Sequence, residues 1–258
     1  MERIRPLHQQ YHSYTPQDHQ VWQILFNRQM KLLNQHASSA YLHAIKEIGF
    51  QHAAIPHFSQ VSERLMALTG WQLTVVPGLV PEAEFFQLLS RRIFPATCWL
   101  RTLAEIDYIE EPDMFHDVFG HVPLLTDPAY ASFMQAFGSM ALAWAHRPEA
   151  ISLLSRIYWF TIEFGLIQEQ GAAKIYGAGI LSSPGETMHS MHPHTARRPC
   201  HAADIFATSY RTDVMQDQYF VISSFAHLQE MLPLVKTLID NYEGPISHAP
   251  AAMRLAGM

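Results

Sequence analysis

The sequence predicts a mainly α-helical single domain with a few short β-strands. Apolar residues recur at helical spacing over most of the chain, helix caps punctuate that pattern, and runs of strand composition are few and short. A hydrophobic content of 48% against 16% charged residues supports a substantial core. A length of 258 residues fits one or two domains. No repeat and no Pro/Gly/Ser-rich divider splits the chain, which selects one.

Residues 1–14 read as an extended N-terminal arm. Thr15-Pro16 opens the first helix, with Thr at the cap, Pro at the first position and Asp18 in the first turn. Val21, Trp22, Leu25, Phe26, Met30 and Leu33 carry it to about His36 as a core stripe. Further helices are expected over 39–48 and 59–68, the latter stopped by Gly70. Trp71 to Pro81 reads as extended, and a helix follows over 82–92. Residues 94–100 and 106–109 have strand composition, enough for a small ribbon. Asp127-Pro128 caps a helix to about Ala145, and another is expected over 149–170 with Gly171 as its stop. Residues 176–183 read as extended and punctuated by glycine, and 187–203 as an irregular loop. A short strand over 218–223 precedes a last long helix over 224–241. Residues 243–258, rich in Ala, Pro and Gly, read as a mobile tail.

Several function classes are excluded. A net charge of −6 argues against general nucleic-acid binding, which needs a basic face. The longest apolar stretch, 157–167, is interrupted by Glu163 and too short to span a bilayer. No secretory leader pattern is present. Cys98 and Cys200 form no CxxC pair, which fits a reducing cytosol and no thiolate zinc site. The expectation is a cytoplasmic protein. There is no HExxH, GxSxG or Walker loop, and Tyr176-Gly177-Ala178-Gly179 is no dinucleotide fingerprint. The Met188–His194 tract reads as a solvated loop, and Arg91-Arg92 and Arg197-Arg198 as solvated charge.

One stretch carries candidate chemistry. Pro112 to Pro123 reads as a short helix with Pro112 in its first turn and Gly120 and Pro123 closing it. His116 and His121 are five apart, which on an ideal α-helix points them ~140° apart. They converge only if His121 lies past the helix end, with Gly120 as a left-handed cap. In a chain with 16 histidines such a pair alone says little. Glu163 adds weight, as the only charge in Ile157–Ile167. A buried carboxylate must be paired, with Arg156 as the candidate, or must ligate a metal. Two histidines and one carboxylate can form the non-haem Fe(II) facial triad, and the same set can hold catalytic zinc.

Seven runs, in order, resemble the tetrahydrobiopterin-dependent aromatic amino acid hydroxylases, and their bacterial phenylalanine-hydroxylating members most. They are Thr69-Gly70-Trp71, Val76-Pro77-Gly78-Leu79-Val80, Phe94-Pro95-Ala96-Thr97, Glu111 to Asp117, Phe119 to Leu124, Ile157 to Gly165 and Tyr176 to Ser183. The resemblance implies a basket-like catalytic domain over 15–242 that holds Fe(II) with His116, His121 and Glu163. It implies substrate contacts from Arg101, Pro112, Trp159 and Ser182, with Arg101 gripping the substrate carboxylate and Ser182 also supporting a ligand histidine. It places a tetrahydropterin, tetrahydrobiopterin or a relative, against Phe85 and the loop Gly78, Leu79 and Val80, bordered by Asp117 and Tyr158. The implied reaction converts L-phenylalanine, O2 and the tetrahydropterin to L-tyrosine and a 4a-hydroxypterin. Two positions depart from the pattern. Ile109 stands where animal phenylalanine hydroxylases have threonine, and Glu82 replaces a small polar residue beside the pterin. The chain has length for neither a regulatory domain nor a tetramerisation helix, so a monomer or homodimer is expected. The alternatives are tyrosine or tryptophan hydroxylation, a zinc hydrolase, or a non-catalytic metal-binding protein.

Overall fold

The structure is a computed structural model that describes residues 5–242; arm residues 1–4 and the expected tail at 243–258 lie outside the described residues. Helix α1, Pro16–His36, starts at a reciprocal capping box between Thr15 and Asp18. Its buried face of Val21, Trp22, Leu25, Gln29 and Leu33 follows the 3–4 residue spacing of one helical stripe. Helix α2 spans Ser39–Glu47, and α3 spans Phe58–Thr69. Gly70 ends α3 in the left-handed conformation, φ 76°, as a stop glycine should. Arm residues 5–14 pack back on this layer. Tyr11 stacks on His57 at 3.3 Å between ring centroids, and Tyr14 Oη donates to the Cys98 carbonyl at 2.6 Å.

Strand β1, Gln72–Val75, pairs in parallel with β2, Ile93–Ala96, across helix α4, Glu82–Ser90. The expected ribbon partner at 106–109 is not a strand: 103–105 form a 3-10 turn. The order β1–α4–β2 explains the difference, because a parallel crossover needs a helix between its strands. Helix α5, Pro128–Ala143, is capped by Asp127 and crosses α4 at Gly138. A Cβ there would meet Leu89 Cβ at 2.6 Å, so the glycine sets the approach.

Helix α6, Pro148–Tyr158, runs on into a π-helical segment, Trp159–Glu163, and stops there. The expected continuation to Gln170 is instead strand β3, Leu166–Glu169, which hairpins into β4, Ala172–Ile175. Gln170 and Gly171 make that turn at φ 49° and 84°. Leu166 and Ile167 are buried, and a short apolar run of this kind reads equally as core helix or core strand. Strand β3 also pairs in parallel with β6, Gln218–Ile222, and β6 pairs with β5, Ala196–Pro199.

Two stretches, one read as extended and one as an irregular loop, hold helices. Residues Ala178–Ser182 form the short helix α7, not an extended run. The region 187–203 holds most of helix α8, Pro184–Met191, then β5 and the start of helix α9, Ala202–Ala207. Ser183 caps α8 by accepting from the Glu186 amide, a cap signal that the sequence carries openly. The arginine pairs are not simply solvated either. Arg92 binds Gln135 and the Thr69 carbonyl, and Arg197 holds the carbonyls of Ser190 and His192. Ser224 caps the last helix, α10, Phe225–Asp240. Among the described residues, no helix is long and apolar enough to cross a membrane.

Candidate active site

The two histidines converge by a route other than the expected one. Phe115–His121 is a π-helical segment that winds straight through Gly120 and His121. Its turns close through i→i+5 bonds, so residues five apart lie on one face. Gly120 is no left-handed cap; a Cβ there would meet the Ala178 carbonyl at 2.9 Å. The wide coil leaves carbonyls to be satisfied from outside, and Tyr41 on α2 donates to that of Phe119 at 2.8 Å. Pro112 is buried but lies before the helix, and Asp113 takes the cap role. Its carboxylate accepts from the His116 amide at 3.2 Å.

Glu163 ends the second π-helical segment, where the Phe164 amide bonds the Trp159 carbonyl, five residues back, at 2.9 Å. His116 Nε2 lies 3.7 Å from Glu163 Oε2 and 3.3 Å from His121 Nε2, and His121 Nε2 lies 3.2 Å from Glu163 Oε1. All three residues are buried, and their donor atoms fall within 4.8 Å of one another. Arg156 is not the carboxylate's partner, since its guanidinium donates to the Phe206 carbonyl.

The protonation pattern suits a cation. Burial pushes the His116 imidazole down to about 4, against the pull of Glu163, so the ring is neutral near pH 7. Burial raises the Glu163 carboxyl, but the adjacent imidazoles of His121 and His116 outweigh it and leave the group below its ordinary value. Neither Glu163 oxygen has a hydrogen-bond partner of good geometry among the described residues. A buried carboxylate costs roughly several kcal/mol unless it is well paired, and a metal ion held between it and the two imidazoles would pair it. Ser182 fixes the His116 tautomer. Its hydroxyl donates to the Ala178 carbonyl at 2.8 Å, so it must accept from His116 Nδ1–H at 2.9 Å. That leaves the Nε2 lone pair facing Glu163 and His121.

Arg101 is buried, but its parallel two-bond grip is on Asp113: Nε to Oδ2 and Nη2 to Oδ1, both 2.9 Å. Burial raises the Asp113 carboxyl, and Arg101 outweighs it to hold the group below its usual range. Trp159 stacks on Tyr210 at 4.6 Å and donates from Nε1 to Gln216 Oε1 at 2.8 Å. Phe85 meets Tyr158 edge-on at 5.4 Å, and the Tyr158 hydroxyl is buried with no hydrogen-bond partner among the described residues. Asp117 accepts from the Thr97 amide and hydroxyl at 2.7 and 2.8 Å, while burial pushes its carboxyl up to about 7. Gly78, Leu79 and Val80 lie in the loop between β1 and α4, with Leu79 exposed. The Arg5 guanidinium rests where a Gly78 side chain would be and pairs with Glu111.

Sequence reasoning missed Asp113, Thr97, Tyr210 and Gln216. Asp113 had a signal, an acidic residue three before the amide it caps. The other three lie far along the chain from what they hold, and nothing local marks them.

Two imidazoles and one carboxylate, buried and mutually facing, define the two-histidine, one-carboxylate class of metal-dependent enzymes. Comparison with known proteins narrows this. The family model for biopterin-dependent aromatic amino acid hydroxylases matches residues 8–244, and the chain belongs to that family. A phenylalanine-4-hydroxylase of Ralstonia nicotianae is 43% identical over 231 residues, 88% of this chain and 74% of that protein. One of Pseudomonas aeruginosa is 40% identical, over 84% of this chain and 82% of the relative. The crystal structure of Chromobacterium violaceum phenylalanine hydroxylase with iron(III) and 7,8-dihydrobiopterin superposes with a TM-score of 0.84. It is 40% identical, covering 94% of this chain and 90% of that one.

Proposed function

We propose that this chain hydroxylates L-phenylalanine at ring carbon 4, using O2 and a tetrahydropterin at an Fe(II) held by His116, His121 and Glu163. The carrying observation is the buried convergence of these three donors, with both imidazole Nε2 atoms facing the carboxylate. The relatives named phenylalanine-4-hydroxylase support the substrate assignment. Iron and the reduced pterin, when bound, supply the electrons that activate O2; one oxygen atom goes to the ring and one to the pterin.

The chain's own residues bind, orient and exclude water. Ser182 keeps the His116 proton on Nδ1, so that Nε2 ligates. Asp113 occupies one edge of the Arg101 fork, and Nη1 remains for the substrate carboxylate. Trp159 and Pro112 border the substrate ring, and the apolar surround keeps water from the reacting carbon. Phe85, Asp117, Tyr158 and the Gly78–Leu79–Val80 backbone form the pterin side. The orphaned Tyr158 hydroxyl supports a polar ligand there. Residues 15–242 act as the catalytic domain. The metal set is complete within one chain, which suits a monomer or homodimer. Two buried free cysteines suit the cytoplasm.

The test is direct. The protein is incubated with Fe(II), a tetrahydropterin and, separately, phenylalanine, tyrosine and tryptophan, and the products are identified. Tyrosine from phenylalanine at the highest kcat/KM is expected. Preference for tyrosine or tryptophan would move the substrate assignment within the family. No product from any of the three with iron loaded would overturn the reading.

A further inference from the structure

The loop between α9 and β6 carries Tyr210, whose ring stacks on Trp159 at 19° between planes. Outside the Tyr210 ring contacts the loop is mostly exposed, and a half-open groove of about 490 Å³ runs along it, bordered by Phe160, Arg198, Tyr210 and Gln216. Of residues 208–217 only Gln216 is buried, at 4% exposure. A glutamine amide buried in a loop is costly unless every polar atom is used, and here all are. Oε1 accepts from the Trp159 indole at 2.8 Å. Nε2 donates to the carbonyls of Arg211 and Val214 at 3.0 and 3.3 Å, which ties down the segment just after Tyr210. The main-chain amide donates to Glu186 Oε1 at 3.2 Å, and His189 Nε2 lies 2.9 Å from the main-chain carbonyl. Glu186 is itself fixed. It sits in α8, four residues after Ser182, and its other oxygen accepts from the Tyr219 hydroxyl. Burial raises its carboxyl, with Tyr219 and the Gln216 amide opposing.

We propose that Gln216 is a positioning residue that sets the orientation of Trp159 and Tyr210, and through them which aromatic amino acid the cleft accepts. The inference rests on Trp159 bordering the substrate, as in the proposed function. One side-chain amide decides both halves of the wall: its oxygen orients the indole, and its nitrogen shapes the loop that brings the stacking tyrosine. Without it the indole N–H loses its partner and can turn, and the loop after Tyr210 loses its side-chain tie. The cleft then widens on the side that limits ring size.

The experiment uses the full-length iron-loaded protein, with Gln216→Leu as first variant and Gln216→Met, which keeps length but removes the amide, as second. The first readout is the Trp159 indole N–H resonance in 15N-tryptophan-labelled protein, assigned by its disappearance in Trp159→Phe. It should shift upfield in both Gln216 variants. The second is kinetic. The KM for phenylalanine should rise about 3- to 10-fold, the range expected for one lost neutral hydrogen bond. The preference for phenylalanine over tryptophan should fall by a similar factor, with the pterin KM and iron content unchanged. In a Trp159→Phe background, Gln216→Leu should lose most of this effect. An unmoved resonance, an unchanged amino acid preference, or an undiminished effect in the Trp159→Phe background would overturn the proposal. So would failure of both variants to fold, which would assign Gln216 to the fold alone. Were the wild type to hydroxylate no aromatic amino acid, the functional reading would fall and take the substrate part of this inference with it. The resonance would still decide whether Gln216 holds Trp159.

Discussion

Arg101→Ala is expected to do more than weaken substrate binding. The Asp113 carboxylate is fully buried, and the Arg101 guanidinium supplies two of its four hydrogen bonds. Removing the guanidinium leaves that carboxylate with only the amides of Arg101 and His116. Breaking one partner from a buried pair costs about 3–5 kcal/mol. For a domain of this size about 2–4 °C is lost per kcal/mol, so Tm should fall by about 6–20 °C. Because Asp113 Oδ1 also caps the His116 amide, iron content should fall in part. The KM for phenylalanine should rise roughly 30-fold or more, for a lost charge pair of about 2 kcal/mol or above. The double variant Arg101→Met/Asp113→Leu separates the roles. With both charges gone the desolvation penalty disappears, and much of the lost Tm should return. The KM should not. Calorimetry, iron stoichiometry and steady-state kinetics on the three proteins decide the matter. A Tm for Arg101→Ala within about 2 °C of wild type would refute the stability argument. A double variant with wild-type KM would remove Arg101 from substrate binding.

Other substitutions test the metal set. Glu163→Gln keeps shape and removes charge, so it should lose stoichiometric iron and hydroxylation together; full iron and full activity would exclude the triad. Ser182→Ala frees His116 Nδ1 and should weaken metal affinity by roughly 10- to 100-fold, read by competition with a chelator. Gly177→Ala sets a Cβ 2.4 Å from the Glu163 carbonyl and should lower Tm and iron content together, whereas Gly171→Ala, with open space at its Cβ but φ 84°, should cost only stability. Zn(II) in place of iron should bind and inhibit, since zinc has no redox chemistry; turnover by an iron-free zinc form would reject the mechanism.

Much of this was legible in the sequence because local rules and tertiary context agreed. The Thr15 and Asp127 caps and the Gly70 stop are read from neighbours in the chain and stand where expected. The long helices were found for the same reason. What failed was decided at long range. Leu166 and Ile167 are apolar whether helix or strand, and only pairing with β4 and β6 makes them strand. The glycines of 176–183 suggested an extended segment, whereas they are there for space in a helix pressed on its neighbour. The histidine spacing held real information that was misread. Five residues is a poor fit to an α-helix and a good one to a π-helix, and an apolar run with ligands so spaced deserved that reading.

The crowding between the Glu163 segment and α7 has a consequence for motion. Gly165 faces Tyr176, and Gly177 and Gly179 face the Glu163 carbonyl, each with no room for a methyl group. At Gly177 main chain faces main chain, and at Gly165 and Gly179 the rings of Tyr176 and Phe164 fill the remaining space, so little room is left to absorb a displacement. Glu163 and Ser182 are thereby geared. A shift that draws the carboxylate away must drag α7, and α7 carries the hydroxyl that holds His116. The carboxylate and one imidazole thus tend to move as a single jaw, while His121, whose Nδ1 has no hydrogen-bond partner among the described residues, is less constrained. Any breathing of the centre should therefore appear first at His121.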